Sequence, residues 1–199
     1  MKIIGLTGKS GSGKGEVCKA FLGFGLESLD TDKISRDVTK KGGKCLSELV
    51  GAFSGAILTK YGELDRRKLA DAAFSSEEKL GILNKITHKH ILGECGRILV
   101  DMQKAGRTAV IVDAPLLFES GFDKNCDIII SVLANEQTCL NRIIKRDNIT
   151  REQAGLRIKN QKSDVFFIEN SDYIIYNDTD YADIYIQVSK IYDKISGEN

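Results

Sequence analysis

Gly8, Gly13 and Lys14 stand at the spacing of a phosphate-binding loop, within Gly8-Lys9-Ser10-Gly11-Ser12-Gly13-Lys14-Gly15-Glu16. In such a loop successive backbone N–H groups and the positive end of the following helix converge on one point, which suits polyphosphate. Lys14 would reach the terminal phosphates and neutralise charge as it shifts during transfer. With 19 glycines in the chain the bare string arises by chance in roughly one such sequence in six, so its context has to decide. That context is favourable, because an apolar run ending Ile3-Ile4-Gly5-Leu6-Thr7 precedes the loop and a helical pattern over 16–22 follows it. The hydroxyl residue expected after the lysine is replaced by Gly15, and Glu16 comes next. Glu16 favours the helix dipole but adds negative charge near a polyphosphate.

A second chemical signal is Ser28-Leu29-Asp30-Thr31-Asp32, two carboxylates at the carboxyl end of a predicted strand. On an extended segment residues two apart share a side, so one could take a proton from an attacking hydroxyl and one could hold a metal through water. Either could instead cap the helix beginning near Lys33. The apolar run from Thr108 ends in Asp113, the pattern of a metal-side carboxylate in phosphate-loop enzymes, and continues into Ala114-Pro115-Leu116-Leu117-Phe118-Glu119. Arg142 and Arg146 lie four apart and therefore on one helical face, with Arg157 and Gln161 following. Planar guanidinium groups suit bidentate phosphate contacts on a mobile lid. The plainer alternative is a solvated basic face paired with Asp147 and Glu152. His88 and His90 fall two apart on different helical faces without a third ligand, so no metal site is expected there.

The elements that must position these groups form an alternating series. Strands are expected over 2–7, 26–30, 108–113, 127–133 and 173–176, several of them continuously apolar as in a parallel sheet covered on both faces. Helical patterns occupy 16–22, 33–39, 136–146, 156–161 and 182–195, which gives an α/β fold with a doubly wound parallel sheet. The stretch from about 40 to 105 has helical periodicity and no convincing strand, as an inserted helical region would. Open α/β sheets bind ligands at the carboxyl edge of their strands.

A chain of 199 residues is long enough for one core carrying a small insertion. Lysine and arginine number 29 against 28 acidic residues, a balance that gives no footprint for duplex nucleic acid or an anionic membrane. No stretch approaches the roughly 20 apolar residues of a membrane span. The five cysteines are widely spaced without a CxxC pair, which points to a reducing cytoplasm and to thiols used as buried apolar side chains.

These segments, in this order, resemble the dephospho-CoA kinase family nearly end to end. The resemblance rests on Ile4-Gly5-Leu6-Thr7-Gly8, Gly11-Ser12-Gly13-Lys14, Asp30-Thr31-Asp32, Ile34-Ser35-Arg36, Gly62-Glu63-Leu64-Asp65-Arg66, Pro115-Leu116-Leu117-Phe118-Glu119, Arg142 to Asp147, Arg157 to Gln161, and Asp172 to Asn177. It implies a phosphate-loop sheet of five parallel strands with a core of about 1–40 and 106–199, a helical CoA-binding insertion of about 41–105, and a lid of about 142–162. It implies ATP-dependent phosphorylation of the ribose 3′-hydroxyl of dephospho-CoA, with ATP and Mg2+ as cofactors, in a monomer or weak homo-oligomer with no nucleic-acid or membrane partner.

Carried over by position, Asp32 looks like the general base, Lys14 the phosphate clamp and Arg142 the residue closest to transfer. Nucleotide contacts fall on Gly11, Ser12, Gly13, Lys14, Gly15, Glu16, Arg146, Arg157 and Asn177, the last near adenine. Acceptor contacts fall on Thr7, Asp32, Arg66, His88, Pro115 and Leu116, and magnesium on Asp32 and Asp113. Gly15 and Glu16 depart from the family's hydroxyl pair, and two family prolines are replaced, at Lys41 and Lys89. Taken alone, the residues leave open a nucleotide- or CoA-binding protein without transfer activity, and a kinase of another small acceptor such as a nucleoside monophosphate or a sugar.

Overall fold

The computed structural model describes residues 1–197. Five strands form one sheet in the order β2-β3-β1-β4-β5, where β1 is Lys2–Gly8, β2 Glu27–Asp30, β3 Ala109–Asp113, β4 Ile128–Leu133 and β5 Tyr173–Tyr176. β1 runs parallel to both β3 and β4, and β4 runs parallel to β5. The strands lie within a residue or two of the ranges read from the sequence.

Alternation along β1 explains its composition. Ile4 and Leu6 are fully buried on one face, in a cluster with Ile111, Ile130, Val132 and Ile175. Two helices cover that cluster: α1, Lys14–Gly23, through Val17 and Phe21, and α9, Tyr181–Gly197, through Ile184, Val188, Ile191 and Ile195. Each such side chain removed from water contributes about 1.5–3 kcal/mol. On the other face Gly5 has no room for a side chain, since a Cβ there would come within 2.8 Å of Cys126 Sγ and 2.9 Å of Leu117. Four of the five cysteines are buried as packing residues. Burial pushes the Cys95 thiol up to about 11 and the Cys126 thiol up to about 12.

The chain forms two compact units, residues 1–29 with 107–197 around the sheet, and residues 30–106. The second unit is helical: α2 Thr31–Val38, α3 Lys44–Phe53, α4 Arg66–Ala73 and the long α5 Glu77–Lys104. Its core gathers Cys45, Leu49, Ile57 and Leu69. Between 41 and 105 the only extended pairing is the isolated bridge of Leu58 with Leu64. α2 packs on α5 within this unit.

The remaining helices of the first unit are α6 Glu136–Asp147, α7 Arg151–Lys159 and α8 Asp164–Glu169. α7 starts five residues earlier than its apolar pattern suggests, because Thr150 and Gln153 form a capping box at its start. α8 has only six residues, too short for helical periodicity to register, and was not expected from the sequence. α2 begins at Thr31, not near Lys33, which places Asp32 on a helix. The expectation that Asp30 and Asp32 share one side of an extended segment therefore fails.

Candidate active site

The phosphate loop joins the carboxyl end of β1 to α1. The register sets Leu6 beside Asp113, so the ends of β1 and β3 emerge together. Lys14, the first residue of α1, pairs there with the Asp113 carboxylate, and both side chains are largely shielded from water. Gly13 caps α1 in the left-handed region with φ of 85°, and no side chain caps the first turn. Glu16 N donates to the Gly13 carbonyl at 2.9 Å, and the start of the helix is suited to an anion. A Cβ on Gly13 would overlap the side-chain amide of Asn177, and one on Gly11 would press on the Cys139 backbone of α6.

Arg142 closes the loop from α6. Its Nη1 donates to the carbonyls of Gly11 and Ser12, both at 3.3 Å, and to that of Asn177 at 3.0 Å. Its Nη2 donates to Asn177 Oδ1 at 3.3 Å, and Asn177 Nδ2 donates to the Ser12 carbonyl at 2.8 Å. Asn177 is buried, with both ends of its amide engaged by the loop and Arg142. Asn177 thus braces the loop from beneath. Ser12 Oγ, fully buried in the loop, has no hydrogen-bond partner among the described residues.

Arg146, one turn beyond Arg142, donates through Nε and Nη2 to the Asp147 carboxylate at 2.8 and 2.9 Å. Arg157 of α7 donates to the same carboxylate. The Arg146 hydrogen bond, with the charges of both guanidiniums, lowers Asp147 to about 2. Of the cations read from the sequence, Arg146 and Arg157 are thus paired with Asp147, while Arg142 on the same face as Arg146 turns to the loop carbonyls, and Glu152 has no ion pair among the described residues. Arg146 also reaches Ser10 Oγ at 3.4 Å.

Two further ties hold the loop. Gln161 Oε1 accepts from Ser10 N at 3.1 Å, and Lys9 Nζ pairs with Asp164, at the start of α8, at 2.5 Å. Lys9 and Asp164 were missed in the sequence, because α8 gave no signal and a lysine inside the loop has no motif meaning.

The departures from the expected loop have a physical setting. Gly15 lies in the first turn of α1, with nothing within 4 Å of the place a Cβ would take, so space does not exclude a larger residue. Glu16 is exposed and pairs with Lys19 at 2.9 Å, facing solvent rather than the loop. Thr7 is buried and its hydroxyl donates to the Pro115 carbonyl at 3.5 Å, which makes it a tie at the strand end. Pro115 is half-buried, while Leu116 stands 57 % exposed.

In the helical unit the two aspartates separate cleanly. Asp30 caps α2, its carboxylate accepting from Asp32 N and Lys33 N at 2.8 and 3.0 Å. The Asp32 carboxylate is exposed and has no hydrogen bond or ion pair among the described residues. Arg66 Nη2 donates to Thr39 Oγ1 at 2.9 Å. His88 lies half-buried on α5, and His90 on the same helix meets Glu48 at 3.1 Å. Among the described residues no three His, Cys, Asp or Glu side chains form a metal cage.

A family model described as Dephospho-CoA kinase matches residues 2–183. The dephospho-CoA kinase of Fusobacterium nucleatum is 38 % identical over 193 residues, covering 97 % of this chain and 98 % of that protein. The solved dephospho-CoA kinase from Campylobacter jejuni superposes with a TM-score of 0.73 at 27 % identity, covering each chain completely. Shikimate kinase from Acinetobacter baumannii shares the fold alone, at 15 % identity and a TM-score of 0.55 over 100 % of this chain and 95 % of that one.

Proposed function

The chain belongs to the dephospho-CoA kinase family, and on that premise we propose how its residues divide the reaction. It is an enzyme that phosphorylates the 3′-hydroxyl of dephospho-CoA with ATP, giving CoA and ADP, the last step of coenzyme A synthesis. The reading of its nucleotide site is carried by the uncapped first turn of α1, bracketed by Lys14 and Arg142.

The loop N–H groups and Lys14 hold the β- and γ-phosphates, as backbone and lysine do in phosphate-loop enzymes generally. Binding transfers Lys14 from Asp113 to phosphate and draws Arg142 from loop carbonyls toward the charge that develops on the transferring group. Asp32 takes the proton of the acceptor hydroxyl. The freed oxygen bonds to the γ-phosphorus while the bond to the bridging oxygen breaks, and ADP leaves with the electron pair. The support for Asp32 as base is its unengaged carboxylate, beside an Asp30 already committed to capping. Arg146 and Arg157 support the phosphates from the lid. Pro115, the exposed Leu116 and His88 complete the acceptor contacts.

The donor set fits a nucleotide-borne magnesium ion. Asp113 supplies a carboxylate beside Lys14, and the ion commonly takes only one or two protein carboxylates together with phosphate and water. When bound, the ion neutralises charge on the phosphates. Without a hydroxyl at Gly15, the hold of the sheet unit on it rests on Asp113. No helix among the described residues is long and apolar enough to cross a membrane, and we assign the enzyme to the cytoplasm as a monomer or weak homo-oligomer.

An ADP-release assay across dephospho-CoA, nucleoside monophosphates and gluconate tests the assignment. Turnover is expected with dephospho-CoA; background rates over a wide magnesium range, or preference for another acceptor, would overturn it.

A further inference from the structure

Several arginines of this chain are neutralised by carboxylates: Arg97 by Glu94 and Asp101, Arg107 by Glu27, and Arg146 and Arg157 by Asp147. Arg36 and Arg66, in the same helical unit as Asp32, have no carboxylate partner among the described residues. Their placement is nonetheless specific. Arg36 Nε donates to the Asp32 carbonyl at 3.2 Å, which folds its guanidinium back toward the start of α2 and leaves both Nη groups without a partner among the described residues. Arg66 is held at the other end of α2 by Thr39 Oγ1, a hydroxyl only 4 % exposed that itself donates to the Ser35 carbonyl at 2.7 Å.

Asp32, Arg36 and Thr39 follow one another at i, i+4 and i+7, a single helical face. Along that face lie the Asp32 carboxylate, then Arg36 one turn on with its guanidinium folded back beside the Asp32 backbone, then Thr39, the anchor of the second guanidinium, about 10 Å of helix rise from Asp32. We propose that this row is the acceptor's measuring surface, with Arg36 and Arg66 gripping the diphosphate of dephospho-CoA while its 3′-hydroxyl lies at Asp32. The inference rests on the dephospho-CoA kinase reading and assigns Arg36 as a specificity-determining residue of that site.

The chemistry matches in charge and in order. The acceptor carries its reacting 3′-oxygen on one side of a ribose ring and two linked phosphates beyond the other, so a carboxylate and guanidiniums on one helical face can serve both. Planar guanidinium groups meet phosphate oxygens two at a time. The nearest anions are engaged elsewhere, although Asp37 also feels the Arg36 charge. Asp37 is compensated by Lys40 at 2.6 Å, and Asp65 caps α4 and lies 3.7 Å from Lys68. Exposed guanidiniums next to a base that must approach a polyanionic acceptor also offset the repulsion that Asp32 alone would impose.

The test compares dephospho-CoA with adenosine, which keeps the 3′-hydroxyl and lacks the diphosphate. In Arg36→Gln the KM for dephospho-CoA is expected to rise about 10- to 100-fold, as expected for losing charge-assisted hydrogen bonds. The inhibition constant of adenosine and the KM for ATP should stay within about twofold. Arg36→Lys should recover part of the loss, because it restores charge without the planar fork. The salt dependence of the dephospho-CoA KM should flatten in Arg36→Gln. An unchanged KM for dephospho-CoA, or equal weakening of adenosine and dephospho-CoA, would overturn the inference while leaving the kinase assignment intact. If the unaltered enzyme failed to phosphorylate dephospho-CoA at all, the assignment itself would fall and the inference with it.

Discussion

In the sheet unit the cations expected to meet ATP are already engaged: Lys14 with Asp113, Arg142 with three carbonyls, Arg146 and Arg157 with Asp147. In the helical unit the Asp32 carboxylate and the two Nη groups of Arg36 have no partner among the described residues. Burial accounts for much of the contrast. Lys14 and Asp113 side chains are 16 % and 19 % exposed, where an unpaired charge is costly, whereas Asp32 and Arg36 face water, which solvates them without a partner. On the proposed division, the nucleotide site is a set of contacts to be exchanged, and the acceptor site a set of groups kept available.

The strongest way to break this comparison is to remove Asp32. Asp32→Asn is expected to lower kcat by about 10²- to 10⁴-fold, the usual worth of a general base, with ATP affinity and thermal stability unchanged. Equal losses in ATP binding and turnover would reassign the residue to binding. Arg142→Met should lower kcat/KM on the order of 100-fold. Unlike the Asp32 change, it should also destabilise the fold by about 1–3 kcal/mol, because loop carbonyls lose their donor. Denaturant unfolding of the two variants side by side would expose the contrast, and similar stabilities would abolish it.

Gly15→Ser sharpens the same contrast at the metal. The position is sterically open and helical, so serine enters without strain and with a small gain in helix propensity. The magnesium concentration for half-maximal activity should fall on the order of tenfold. Thermal stabilisation by ADP should become more magnesium-dependent, a readout independent of turnover.

Much of this was legible in the sequence, for reasons that differ by residue. The five strands were found because buried parallel strands are continuous apolar runs, and the loop because glycine spacing reports its backbone. Asp32 is singled out in the sequence on a false premise, since the helix starts at Thr31 and not beyond it, while Asp30 is the cap that the sequence also allowed. The burial of Asn177 beneath the loop was illegible, because it depends on Arg142 arriving from a helix 35 residues away in the chain. The Lys9–Asp164 tie was illegible because its partner stands on a six-residue helix without periodicity.

The smallest expected effect comes from Asp147, where the nucleotide unit's pairing is most exposed to solvent on the arginine side. Its carboxyl is held at about 2, below the ordinary carboxylate value of about 3.9. A depressed folded-state value means stabilisation that is complete above the unfolded value and lost as pH falls through the folded one. Asp147→Asn should thus be less stable than the unaltered enzyme at neutral pH by no more than about 1 kcal/mol, as for partly solvated pairs. The two unfolding curves should converge between about pH 4 and pH 2, and raising the salt concentration should narrow the gap at pH 7. Because Asp147 keeps Arg146 and Arg157 together, the KM for ATP should rise a few-fold, about 3 to 10, while the KM for dephospho-CoA stays level. A rise in the dephospho-CoA KM instead would mean that the lid arginines serve the acceptor, and the division of charge between the two units would have to be redrawn.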